Sequence, residues 1–162
     1  MTTYFTTTDT PAGPFTMLTD EDEAVLASGW TTDVGELARL GRIEDGPRPR
    51  EDPGVPLKAL RSYLDGDVRA IDEVRVRQRG GAFIAHAWDV LREVAPGEPV
   101  TYTEFAVRAG RPAAVRAAAS ACATNAAALF VPCHRVLRLD GTLGGFRWGL
   151  PVKRWLLDHE AI

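Results

Sequence analysis

A chain of 162 residues, 45% hydrophobic and 25% charged, can bury the core of one domain or two small ones without staples. Its two cysteines, Cys122 and Cys133, stand eleven positions apart, and no CxxC or paired His/Cys spacing occurs, which excludes a disulfide scaffold and a zinc module. A reducing, cytoplasmic setting fits that usage. The formal net charge of −3 hides an asymmetry: residues 1–100 hold 11 Lys/Arg against 18 Asp/Glu, and residues 101–162 hold 8 against 4. A basic back half suits a polyanionic partner, and a merely solvated face reads the same way. No run of about 18 apolar residues offers a membrane span. The start, Met1-Thr-Thr-Tyr-Phe, has neither the basic nor the apolar region of a signal peptide.

In chain order, Tyr4–Thr8 and Pro14–Leu18 are β-rich runs around Asp9-Thr-Pro-Ala-Gly13, which predicts a hairpin. Ala24–Trp30 is a third strand after the acidic turn Asp20–Glu23. Residues 41–56, with four prolines and three glycines among charges, are a loop. Leu57, Leu60 and Leu64 have helical spacing and stop at Asp65-Gly66. Val68–Val76 alternates as a strand would. A different regime begins near Gly80-Gly81. Phe83, Ala87, Val90, Leu91 and Val94 share one helical face, closed by Pro96-Gly97. Thr101-Tyr-Thr-Glu104 has the form of a capping box and predicts a short helix to about Ala109. Gly110 turns the chain, and a second helix is predicted from Pro112 to about Thr124. Two short helices joined through Gly form a helix-turn-helix pattern, which also occurs in proteins that touch no DNA. Pro151–Glu160 is a last helix, with Val152, Trp155 and Leu156 turned inward.

The most informative segment is Val131-Pro-Cys-His-Arg-Val136. A thiol is a good nucleophile only as thiolate, so a reactive cysteine needs a base or a positive field beside it, and His134 and Arg135 supply both. Taken alone, Cys133 reads first as a small buried hydrophobe, the commonest fate of a free cysteine. The second helix of the helix-turn-helix is nearly all alanine. Ala is the best helix former, which explains the run by propensity. A surface of methyl groups also lets a helix backbone come close to a partner, and the DNA minor groove is only about 6 Å wide. One protruding Arg116 on a thin Ala surface suits such an approach.

The order Thr101-Tyr-Thr-Glu-Phe-Ala, Gly110-Arg-Pro-Ala-Ala-Val-Arg116-Ala, Asn125, Pro132-Cys-His-Arg-Val, a Gly-rich loop and Trp155-Leu-Leu-Asp-His-Glu160 resembles the O6-alkylguanine-DNA alkyltransferases, or methylated-DNA–protein-cysteine methyltransferases. The match is strongest over residues 79–160 and weaker through Asp9-Thr-Pro-Ala-Gly-Pro-Phe-Thr and Tyr63-Leu-Asp-Gly. It implies an α/β protein with an N-terminal ribonuclease-H-like α/β domain over 1–78. A mainly helical, winged-helix-like domain with a helix-turn-helix would span 79–162. It also implies irreversible, single-use transfer of an alkyl group from O6 of guanine in double-stranded DNA to Cys133, with no cofactor or metal, by a monomer that meets the minor groove and no membrane.

By the same resemblance, His134 takes the thiol proton through a water and Glu160 holds the imidazole in the useful tautomer. Asn125 sits at the hinge between the recognition helix and the active-site segment. The damaged nucleotide is flipped out of the duplex. Arg116 then fills the vacated stack, with Ala117 and Ala121 along the groove. Tyr102 presses on a phosphate and donates toward N3 of the base. The Cys133 carbonyl and Val136 amide read the guanine edge, Phe146 stacks on it where the family usually has Tyr, and Arg147 borders it. Arg135 positions the segment or a phosphate, and Cys122 is packing. Arg147 and Trp148 resemble one bacterial subset and imply a smaller pocket. Ala119 stands where Gly is usual, and Ala126 follows Asn125 where Pro is usual. Three other readings stay open on the residues alone. A non-catalytic lesion sensor would lack the cysteine. A small-molecule cysteine hydrolase would have no use for Arg116. A transcriptional regulator would need polar side chains on its reading helix.

Overall fold

The computed structural model describes residues 2–161. The chain is a mixed α/β protein with six α-helices among the described residues, and it divides into two compact units. One runs up to Arg79 and also takes in Ala126–Phe130. The other comprises Gly80–Asn125 and the chain from Val131 onward.

The first unit is built on a hairpin. Strands β1 (Tyr4–Thr10) and β2 (Gly13–Thr19) pair antiparallel with Thr10 opposite Gly13, so the connection is only Pro11-Ala12. Gly13 has φ 115°, a conformation open to glycine and strained for other residues. The predicted hairpin is therefore present, with strands longer and a turn tighter than the turn-residue cluster suggested. β3 (Val25–Gly29) lies antiparallel to β2, and β4 (Arg48–Pro49), inside the predicted loop, lies parallel to β1. The sheet order is β3-β2-β1-β4. Two stretches cover the free edge of β3. Val25 exchanges main-chain bonds with Arg75 and Arg77, and Ser28 does so with Ala126 and Ala128. Such cover removes unpaired edge groups that would template aggregation.

Two elements of this unit differ from expectation. Val68–Val76 is not a strand: Ala70–Glu73 forms a 3-10 helix, and only Val76 bridges to Val25. The buried residues there, Ile71 and Val74, are three apart, which is the 3-10 repeat rather than the strand's two. A short helix that the pattern did not suggest, α1 (Val34–Leu40), buries Leu37 alone, too little for a periodic signal. Its N-cap is legible in hindsight, since the Asp33 carboxylate accepts from the Glu36 amide at 3.1 Å. Helix α2 (Val55–Leu64) matches its prediction, with Pro56 in the first turn and Leu57, Leu60 and Tyr63 buried.

In the second unit, α3 (Ala82–Arg92) buries Ala87, Trp88, Val90 and Leu91. The two-residue strands β5 (Val100–Thr101) and β6 (Val136–Leu137) pair in parallel. The capping box forms as predicted at the start of α4 (Tyr102–Arg108). Thr101 accepts from the Glu104 amide at 3.1 Å, and the Glu104 carboxylate accepts from the Thr101 amide at 3.2 Å. Gly110 turns the chain at φ 85°. The next helix, α5 (Val115–Ala123), starts three residues later than the Pro112 start predicted for it. Ala114 adopts φ −106°, ψ 46°, outside the helical region, and its amide bonds to Arg111 O in a separate turn. Helix α6 (Leu150–Glu160) completes the unit. No helix among the described residues is long and apolar enough to cross a membrane.

Candidate active site

The site is assembled from the 3-10 turn Cys133–Arg135, the inward face of α6 and the end of α5. The turn is buried, leaving Cys133 9% and His134 0% exposed. Lys153, Leu156 and Glu160 are spaced three and four apart on α6, so they share the face that packs inward.

Glu160 holds the turn from behind. Its Oε2 lies 2.8 Å from His134 Nε2, and it receives Arg135 Nε at 2.8 Å and Nη2 at 3.1 Å. Arg135 also donates Nη1 to Val94 O at 2.8 Å. Burial alone would raise the Glu160 carboxyl, but the His134 and Arg135 contacts outweigh it and hold the group at about 2. A carboxylate only accepts, so Nε2 of His134 carries the proton and Nδ1 presents its lone pair. Nδ1 is buried without a hydrogen-bond partner among the described residues. Burial depresses the imidazole below its usual value, against the pull of Glu160, so it is a neutral base near pH 7.

Burial likewise pushes the Cys133 thiol up from 9.0. A hydrogen bond from Asn125 and the charges of Lys153 and Arg147 oppose that rise without cancelling it. Asn125, itself buried, donates Nδ2 to Val131 O at 2.8 Å and so ties the end of α5 to the active-site segment. The resting state is therefore a thiol, and attack requires that its proton be taken.

Around this centre the other expected residues fall into two groups. Tyr102, the first residue of α4, is half-buried, and burial raises its phenol to about 12, so it remains a proton donor at neutral pH. Its ring lies beside Gly144, where an added Cβ would come within 3.6 Å of it. Phe146 is half-buried, and Arg147 is exposed with Nη2 donating to Ala123 O at 3.0 Å. The Val136 amide, expected at a base edge, already donates to the Cys133 carbonyl as the cap of the 3-10 turn. On α5, Arg116 is exposed on the outer side, and Ala117 is half-buried on the flank, one turn before Ala121.

Ala121 departs from the expectation that it faces the groove. It is fully buried, and its carbonyl accepts from Trp88 Nε1 at 2.8 Å, so this position packs α5 against α3. The outward face of α5 instead consists of Arg116, Ser120 and Ala123. Arg135 is enclosed by Glu160 and Val94, which leaves it to position the turn and unable to reach a phosphate.

Sequence reasoning missed Lys153. Its ammonium, withdrawn from solvent, donates to Val136 O at 2.8 Å, Leu143 O at 2.5 Å and Gly145 O at 3.4 Å. Burial lowers its pKa and the neighbouring cysteines oppose that change. The available signal was a lysine between two inward apolar positions, Val152 and Leu156, where a solvated residue has no place.

A family model described as the 6-O-methylguanine DNA methyltransferase DNA binding domain matches residues 82–162. The bifunctional transcriptional activator/DNA repair enzyme Ada of Escherichia coli is 53% identical over 83 residues. That match covers 51% of this chain and only 23% of Ada. A methylated-DNA–protein-cysteine methyltransferase of Salmonella typhimurium is 33% identical over 157 residues, covering 94% of this chain and 92% of its own. The crystal structure of Mycobacterium tuberculosis OGT in complex with DNA superposes with a TM-score of 0.80 at 27% identity, covering 98% of this chain and 92% of that one.

Proposed function

The chain belongs to the methylated-DNA–protein-cysteine methyltransferase family, and we propose that it reverses alkylation damage directly, with Cys133 accepting the alkyl group from O6 of guanine. The observation that carries this reading is the buried His134–Glu160 pair, pinned by Arg135 and next in the chain to the buried thiol of Cys133. An oriented neutral base beside a protonated thiol is what nucleophilic activation requires. The proton leaves Sγ for His134 Nδ1, through a water in the family's manner. The thiolate then attacks the alkyl carbon, forming the S–C bond as the C–O6 bond breaks. The electron pair goes to the guanine, and Tyr102 donates toward N3 to favour its departure. A thioether is not hydrolysed back, so each molecule acts once.

The target carbon lies inside a duplex, so the nucleotide is flipped out from the minor groove. Arg116 replaces it in the stack, and the small residues on the outer side of α5 and its flank, Ala117 among the latter, permit close approach. Phe146 stacks on the extruded base. The Val136 amide is shared with the Cys133 carbonyl, so the second lone pair of that carbonyl is what remains for the guanine edge. In this reading residues 1–78 form a ribonuclease-H-like scaffold and residues 79–162 a winged-helix-like domain with the helix-turn-helix. The protein works as a monomer.

The test is intact-protein mass spectrometry after incubation with a duplex carrying O6-methylguanine. The wild type gains one methyl group, mapped to Cys133. Cys133→Ala gains none yet still binds the duplex. An unmodified wild-type protein that binds the lesion tightly would instead make it a lesion sensor.

A further inference from the structure

Helix α5 ends without the usual devices. Its last turn holds no basic residue, and the cap is Thr124, followed by Asn125 rather than glycine. Ser120 O and Cys122 O are met by the amides of Thr124 and Asn125, and Ala121 O and Ala123 O by side chains from outside the helix. Thr124 Oγ1 donates back to Ser120 O at 2.7 Å, Trp88 Nε1 reaches Ala121 O at 2.8 Å, and Arg147 Nη2 reaches Ala123 O at 3.0 Å. The first two are fixed parts of the unit. The third comes from the loop that carries Phe146 and Trp148.

That loop is bounded by two glycines. Gly144 and Gly149 both have positive φ, 72° and 102°, which glycine adopts without strain, and the Gly149 amide donates to Phe146 O at 3.1 Å. Its root is held by Lys153 at Leu143 O and Gly145 O. Beyond Gly145, the Arg147 bond crosses from the loop to α5. It sets a cation against the negative end of a helix dipole, where the attraction is favourable. The charge of the guanidinium is also the smallest of the influences that oppose the rise of the Cys133 thiol.

We propose that Arg147 is a positioning residue that fastens the pocket loop to the C-terminal end of α5, so that the seating of α5 and the closing of the pocket over a small alkyl group become one event. The proposal rests on the reading of α5 and this loop as DNA- and base-contacting. Without the clamp the loop opens about its glycines, which admits larger adducts and loosens the grip on a methylated base.

Two measurements test it together. Hydrogen–deuterium exchange on residues 144–149 reports the clamp without any activity. Single-turnover rates with an O6-methylguanine duplex and with free O6-benzylguanine report the pocket. In Arg147→Ala, exchange over 144–149 rises about tenfold or more while the rest of the unit is unchanged. The ratio of benzyl to methyl rates rises by about the same factor. Arg147→Lys, whose ammonium can still donate to Ala123 O, recovers most of both effects. The proposal is overturned if Arg147→Ala leaves the loop's exchange as in the wild type. It is equally overturned if both rates change in one proportion, since the loop then does not set adduct size. Failure of the underlying reading looks different: the wild type itself transfers no methyl group, while the exchange experiment still decides whether the clamp exists.

Discussion

At the scale of single residues, the site is governed by burial. His134 and Cys133 are shifted in opposite directions, the imidazole down and the thiol up, by the same loss of solvent. Near pH 7 this leaves a neutral base beside a protonated nucleophile. The rate of methyl transfer should therefore hold level from pH 8 down to about 6.5 and fall only below it, as the imidazole takes a proton. A rate already declining between pH 8 and 7 would contradict the shift. His134→Ala should lose roughly 10²–10⁴-fold at pH 7, with the residual rate climbing toward the raised thiol pKa. Glu160 is the most consequential carboxylate. Its folded pKa of about 2 lies below the ordinary carboxyl value of 4.5, so its stabilisation is complete above pH 4.5 and is lost as pH falls from there to about 2. Glu160→Gln removes that acid-dependent component and leaves Arg135 buried without its charge partner. Urea titration should show a loss of roughly 3–5 kcal/mol.

At the scale of elements, three short pieces were legible in the sequence to different degrees, and each depends on a different signal. The capping box of α4 is local, four consecutive residues satisfying two amides, and it was readable before any tertiary contact was known. Thr101→Ala should lower stability by about 1 kcal/mol in thermal melts. It should also slow transfer, because Tyr102 is the next residue. Helix α5 was recognisable as a helix, but its start and its facing were not. Arg116 and Ser120, four apart, mark an outward side, but alanine fills most of the rest, so nothing tells the outward Ala123 from the inward Ala118 and Ala121. The stretch Val68–Val76 erred the other way. Its alternation is genuine, yet the pair of buried residues three apart selected a 3-10 turn.

At the scale of the whole molecule, Ala126–Phe130 belongs with the first unit although both its flanks, Asn125 and Val131, belong with the second. Within the first unit Ala126 accepts a bond from Ser28 and donates its own amide to Gln78 at 2.8 Å. Ser28 Oγ donates to Ala128 O at 2.7 Å, and Phe130 meets Phe15 edge-on at 6.1 Å. A fragment of residues 80–162 alone would carry this apolar run without those partners. It should bind a hydrophobic dye and lack a cooperative melt, whereas the full chain melts cooperatively. A fragment with a sharp transition and no dye binding would show that the excursion is dispensable.

What the sequence by itself determined was local: the hairpin, the capping box, the helix through Leu57–Leu64, and a thiol next to an imidazole. Each is settled by interactions within a few residues of chain. The family resemblance then supplied Glu160 and Asn125 as partners, which spacing could not have done. Only the tertiary structure decided that Glu160 meets a histidine 26 positions away, that Arg135 serves it rather than a phosphate, and that Lys153 holds the pocket loop. The reason is physical. A charge's role depends on how much water it has lost and which distant groups replace that water, and neither is fixed until the chain has packed.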